Sequence, residues 1–471
     1  MNSDPAQMSL AAIARALRDG TMRVAALVEA CIEKHDPSLG AYREWQPELA
    51  REQARKADTA FAQAKDLGAL QGIPVSVKDL YGVNQMDVFA GSPTALPPSW
   101  QTEGTVIGTL RAQHAVFTGK THTVEFAFGG LGVNTHWGTP RNPWDAQTHR
   151  VPGGSSSGAG VSLCEGSALL ALGSDTAGSV RIPASMTGNV GLKTSYGRWP
   201  INGIFPLSPT LDTAGTLTRD VADAVTAFAA IDPHQRSYGP RLSREVSQCS
   251  ASDFCIGTGE AALWSDCDEG IAETVQAALT ELADAGVRII ETPLPEATAA
   301  IELLKVGSVV SAEIDELLSS TLVPWRETLD PVVSSRIRDG GSISATEYLQ
   351  RRRKLRELSS SAAQRFTDCQ VMVSPTVAVS PPALEEVLVV EQYRPNNIAA
   401  LRNTCSANYL SLCAITIPVG LDAKGMPVGM QLMAPHSHEE QLLAIATCIE
   451  AILGSGRERI GTPPLSAHHS P

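Results

Sequence analysis

Three short stretches of this chain carry reactive side chains in settings that core packing does not explain: GIPVSVKDL at 72–80, PGGSSSGAG at 152–160 and GSDTAGSVRIPAS at 173–185. In the first, Ile73, Val75 and Val77 alternate with Pro74, Ser76 and Lys78, so a strand here puts Lys78 on the face opposite the valines. In the second, three serines stand between glycine pairs, a composition that packs no core but lets backbone approach closely and suits an anion-holding turn. In the third, Ser179 follows small residues whose backbone N–H groups can converge on a developing oxyanion. A hydroxyl nucleophile, a second hydroxyl and an amine base would together perform acyl transfer. Taken singly, each stretch also reads as a solvated lysine, a flexible loop or an ordinary turn.

Together and in this order, the three stretches resemble the amidase signature family, and Ser155 precedes Ser179 by 24 positions, the usual relay-to-nucleophile interval of that family. The likeness is dense from about 69 to 220, including GKTHTVEFAFGG at 119–130, TPRNPWD at 139–145 and VGLKTSYGR at 190–198. It weakens through 240–370 and returns in SPT at 374–376 and ITIPVGLDAKGMPVGMQLMAP at 415–435. The resemblance implies Ser179 as nucleophile, Ser155 on a cis peptide after Gly154 as proton relay, and Lys78 as a base that is neutral at rest. It also implies an oxyanion hole from the backbone N–H groups of Thr176, Ala177, Gly178 and Ser179, and no cofactor or metal. As a free lysine titrates near 10.4, such a base must lose about 2 to 3 units, roughly 3 to 4 kcal/mol of destabilised charge, which burial has to supply.

Three positions depart from the family pattern: Ala177 and Ser157 stand where glycine is common, and His122 where asparagine is frequent. His122, Gly130 and Arg181 are the candidate substrate contacts, with a structural role weighed beside it for both His122 and Arg181. The small substrate is an amide, ureido compound or carbamate.

Two other functions use the same residues. GSSSG at 154–158 satisfies G-x-S-x-G, which would make Ser156 the nucleophile of an α/β-hydrolase, but that motif must follow a strand. An A subunit of a glutamine-dependent tRNA amidotransferase resembles the same family; against it, the chain ends soon after MPVGMQLMAP.

The elements that must position these residues follow from pattern. The 471 residues are 43 % apolar and 18 % charged, with net charge -13, which disfavours nucleic acid and anionic membranes as partners. The basic run at 351–354 lies in a helical pattern and reads as a solvated face. Nine scattered cysteines read as free thiols in a reducing cytoplasm, and nowhere do about 18 apolar residues run together. His436, His438 and Glu439 lack the further ligands that a metal site needs. The expected partner is a small amide, with a homodimer left open.

Helices are expected at 10–17, capped by Ser9, at 24–32, capped by Thr21, and at 47–66. An α/β alternation follows to about 232, then a surface connection at 232–252 that is a candidate subdomain boundary. Beyond it come a helix and strand within 268–294, helices through 296–366 and strands in 370–435. The expected fold is a single large α/β/α domain around a central mixed sheet. Residues 1–68 pack on a catalytic core at 69–232; 233–460 complete the domain, 296–366 covering the pocket, and 461–471 form a disordered tail.

Overall fold

The computed structural model describes residues 5–238, 241–307 and 309–467. Within them eleven strands form one sheet: β1 (Tyr42–Trp45), β2 (Pro74–Lys78), β3 (Val116–Thr121), β4 (Leu170–Asp175), β5 (Val190–Lys193), β6 (Thr213–Thr218), β7 (Cys255–Thr258), β8 (Arg288–Glu291), β9 (Val371–Pro375), β10 (Cys413–Leu421) and β11 (Pro427–Ala434). Their order across the sheet is β1-β3-β2-β4-β6-β5-β10-β11-β9-β7-β8. β2 lies between β3 and β4, parallel to both. β7 is parallel to β8 and β9, and the remaining pairs are antiparallel. The central sheet is therefore mixed, as expected.

Period-two alternation decides which cover each strand meets. Val75 and Val77 of β2, with Leu170 and Leu172 of β4, join a core that includes Leu10, Leu27, Val106 and Phe228 from helices on one side. On the other side Ala171 packs with Ala159 and Leu163 of the helix Ser157–Glu165. Ser76 exchanges a 2.8 Å hydrogen bond with Ser162 of that helix. Lys78 shares this second face and ends its strand. β2 and β4 run side by side, so the chain emerging from both reaches the same edge, where open α/β sheets hold ligands.

Local chemistry shifts several element boundaries. Ser9 caps the first helix, Leu10–Arg18, by accepting from the Ala12 N–H at 3.3 Å. The second, Val24–Glu33, is not capped by Thr21, whose hydroxyl donates back to the Ala16 carbonyl; the Asp58 carboxylate instead accepts from the N–H groups of Val24 and Ala25. The third helix spans Pro47–Ala62. In 232–252, Pro233–Tyr238 and Arg241–Gln248 are helical and Leu242 is buried in the main core, so this connection is packed. Between β9 and β10, where strands alone were expected, the helices Val390–Leu401 and Cys405–Tyr409 intervene.

The tail is not disordered from Gly461: Pro464–Ala467 forms a short 3-10 turn, and the Leu465 N–H donates to the Pro143 carbonyl at 3.2 Å. The rest of that expectation, 468–471, lies outside the described residues.

Gly158 shows why the serine-rich loop must feed into its helix without a side chain. A Cβ there would stand 1.9 Å from the Ala41 carbonyl oxygen and 2.7 Å from the His122 nitrogen, and both are backbone. Gly158→Ala is expected to lower stability by about 1–3 kcal/mol or more, read as a lower urea midpoint with an unchanged slope.

Candidate active site

The side chain of Lys78 is wholly buried, and its Nζ lies 2.8 Å from Ser155 Oγ, 3.0 Å from Ser174 Oγ and 3.3 Å from the Ser174 carbonyl oxygen. Burial drives its pKa down from the ordinary lysine value to about 7, against the opposing negative charges of Asp175 and Asp212. Ser155 follows a cis peptide bond from Gly154. Its carbonyl accepts from the Val124 N–H at 3.2 Å, which ties the loop to the segment after β3.

Ser179 sits in the turn between β4 and the helix Arg181–Met186. The turn is organised by Asp175, whose carboxylate accepts from Gly178 N–H at 2.7 Å, Val180 N–H at 3.1 Å and Arg181 N–H at 3.4 Å. Burial alone would raise the Asp175 pKa, but the Arg181 guanidinium, with help from Lys193 and the Val180 N–H, holds it at about 2. Gly178 takes φ +137, and a Cβ there would meet Thr404 Oγ1 at 2.1 Å. Thr404 in turn donates to the Ala177 carbonyl at 2.7 Å. Thr176 is held by its own hydroxyl, which donates to Asp212 at 2.5 Å.

The Ser156 N–H donates to the Ser179 carbonyl at 3.2 Å, joining the two serine-bearing loops. Lys78 and Ser155 are thus in direct contact and Ser179 is joined to them through backbone. Among the described residues the Ser179 hydroxyl forms no hydrogen bond with Ser155.

Ser179, Thr176 and Ala177 line an open cavity with about 740 Å³ of empty space. Its other walls come from 127–129, from Lys305 and Ser311, from Arg336, and from Arg394, Asn397 and Leu401. Segment 296–366, expected as cover, contributes Lys305, Ser311 and Arg336 to these walls.

Several candidate residues are placed otherwise than the sequence suggested. Gly178 N–H is already engaged by Asp175, which leaves Thr176, Ala177 and Ser179 of the four expected donors. Arg181 is fully buried and spends all five N–H groups inside the protein: on Asp175 at 3.1 and 2.9 Å, Thr404 carbonyl at 2.9 Å, Asn408 at 2.6 Å and Gln431. It has none left for substrate.

His122 lies away from the cavity lining, with its pKa lowered to about 4 by burial and then by the charge of Arg43. Gly130 does not line the cavity either; its N–H donates to Asn397 at 2.7 Å and its carbonyl accepts from Gly154 at 2.8 Å, so it ties loop to wall. Ser156 is fully buried, donates to the Ser174 carbonyl at 3.5 Å and follows no strand, which removes the nucleophile-elbow reading.

Sequence reasoning missed Ser174, Asn408, Gln431 and the cationic wall residues Arg336 and Arg394. Asp175 was legible in principle, since an aspartate three residues before a glycine and six before an arginine is the pattern of a side chain folding back onto a turn.

Comparison with known proteins bears on this geometry. The family model described as Amidase matches residues 24–443. The chain is 49 % identical to the 2-amino-5-chloromuconic acid deaminase of Comamonas testosteroni over 98 % of its own length and 99 % of the relative. It is 31 % identical to the A subunit of the glutamyl-tRNA(Gln) amidotransferase of Desulfosudis oleivorans, covering 89 % of this chain and 91 % of that one. A crystal structure of an amidase superposes with TM-score 0.85 at 27 % identity, over 95 % of this chain and 100 % of the other.

The Asp175–Arg181 assignment predicts a stability effect. Arg181→Met strands the buried Asp175 carboxylate, and the unfolding free energy is expected to fall by about 3–5 kcal/mol in urea titrations. A raised KM with an unchanged urea midpoint would mean that Arg181 serves substrate instead.

Proposed function

This chain belongs to the amidase family, hydrolases acting on carbon–nitrogen bonds, and on that premise we propose that Ser179, Ser155 and Lys78 hydrolyse a small molecule through a seryl acyl-enzyme. The observation that carries the reading is the 2.8 Å approach of Lys78 Nζ to Ser155 Oγ, made by an amine that burial holds near neutrality. A neutral amine has two N–H donors and one lone pair. The Ser174 carbonyl can only accept and takes one N–H; when the Ser174 hydroxyl accepts the second, the lone pair is left for the Ser155 hydroxyl.

In the first half-reaction Lys78 takes the Ser155 proton while Ser155 takes that of Ser179, whose Oγ bonds to the carbonyl carbon. The N–H groups of Thr176, Ala177 and Ser179 receive the oxyanion. The C–N bond then breaks, the relay returns the proton to nitrogen, and ammonia departs. Water attacks the acyl carbon along the same relay, so one water is consumed for each ammonia released. Asp212, itself raised to about 6 by burial, holds Thr176 so that its N–H stays in place.

The similarity to the chloromuconic acid deaminase puts that acid on the assay panel, but its amine sits on C2 and not on a carbonyl carbon, so the acyl route itself is tested on small neutral amides, ureido compounds and glutamine. All nine cysteines are free thiols, which supports a reducing, cytoplasmic setting.

Two outcomes test the mechanism. Ser179→Ala is expected to lower kcat by more than about 10³-fold, and Lys78→Ala by about 10²–10⁴-fold, with ammonia release as the readout. Because the base must be unprotonated, log kcat/KM is expected to rise with unit slope as pH approaches about 7 and to level above it. A profile flat from pH 5 to 9 would remove Lys78 from the role.

A further inference from the structure

Asn397 stands on the helix Val390–Leu401 and lines the cavity together with Ser179, yet only 2 % of its surface is exposed. One bond fixes which way its amide points. The Gly130 N–H can only donate, and it lies 2.7 Å from Asn397 Oδ1, so that oxygen is committed to backbone. Gly130 is itself held, because its carbonyl accepts from the Gly154 N–H at 2.8 Å. The two donors of Asn397 Nδ2 meet no acceptor among the described residues, and the atom is not sealed from open space. With the oxygen turned to Gly130, the space left to Nδ2 is the cavity. Phe128, Leu207, Leu304, Val310 and Leu401 wall the same cavity with apolar side chains that cannot satisfy an amide. A buried donor without an acceptor is costly, and an oxygen on a ligand removes that cost.

We infer that Asn397 is a specificity-determining residue of this enzyme: its Nδ2 donates to a second oxygen of the substrate, apart from the carbonyl that Ser179 attacks. The substrate class is then a small amide with an apolar spacer and a second acceptor oxygen. The inference rests on the hydrolytic reading of the site and deepens it. An analogue lacking that oxygen leaves Nδ2 unmet in the complex, so the pocket discriminates by a missing bond rather than by size.

The test reads binding to Ser179→Ala protein, which does not turn ligand over. Levulinamide and glutaramide are titrated calorimetrically against valeramide, and adipamide against hexanamide; each comparison keeps the carbon count and differs in the second oxygen-bearing group. At least one acceptor-bearing ligand is expected to bind at least about threefold tighter than its counterpart, as one net hydrogen bond allows. Asn397→Asp keeps an oxygen for the Gly130 N–H and replaces the donor with a second acceptor, so the preference is expected to vanish or invert. Asn397→Ala is expected to abolish it too. Thermal melting checks the fold of each variant, and the comparison in protein that keeps Asn397 stands without either of them.

A residue that only braced Gly130 would leave the preference intact in Asn397→Asp, and that result would overturn the inference. Equal affinity within every comparison, or no binding of any of these ligands, would overturn it as well. Absence of ammonia release from the unmutated enzyme would instead sink the hydrolytic reading, and the calorimetric result would still stand on its own.

Discussion

One buried carboxylate sets the geometry on which the rest depends. Asp175 ends β4 and accepts from the backbone N–H groups of Gly178, Val180 and Arg181, closing the turn that presents Ser179. Its charge is tolerated in the interior because Arg181 matches it at 2.9 Å, and Arg181 carries the connection onward to Thr404, Asn408 and Gln431. A buried ion pair of this kind gains little net stability over apolar residues, but removing either partner is costly. Here it joins the turn that bears Ser179 to β11 and to the helix Cys405–Tyr409, elements more than two hundred residues away in the chain.

The same low-dielectric interior that makes Asp175 need Arg181 gives Lys78 its character. Among the described residues Lys78 has no carboxylate in hydrogen-bond contact and is met by neutral oxygens of Ser155 and Ser174, so desolvation outweighs the more distant charges of Asp175 and Asp212. Lys120, on the neighbouring β3, is equally buried but lies 3.3 Å from Asp79 and donates to the Tyr81 carbonyl. Two lysines on adjacent parallel strands thus differ in their partners, and only the one without an ion pair faces a serine hydroxyl.

What could be read from sequence was what depends on local pattern. Alternation in 73–78 gave the strand and the face of Lys78, and the glycine and serine spacing gave the turns that hold Ser155 and Ser179. Long-range satisfaction of polar groups was not legible: no local feature of Arg181 says that Asn408 and Gln431 will consume its donors, or that Asp175 will occupy the Gly178 N–H. Thr21 failed as a cap for the same reason, since Asp58, on another helix, supplied the acceptor. The cavity walls were hidden more deeply, because Arg336 and Arg394 sit in helices that carry no motif, and only the fold brings them to the cavity that Ser179 lines.

The cavity divides its ancestry between two kinds of element. The groups that would move protons stand at the ends of β2 and β4 and in the loops beside them, locked by sheet register and buried ion pairing. The walls that meet the rest of a ligand come largely from helices that contribute no strand to the sheet, with 127–129 added from the segment after β3. Replacements on those walls leave the register and the Asp175 network untouched, so a lineage built on this plan inherits its reaction and its diet separately. New compounds can be taken up by revising a few helical side chains while the chemistry passes unchanged from parent to descendant.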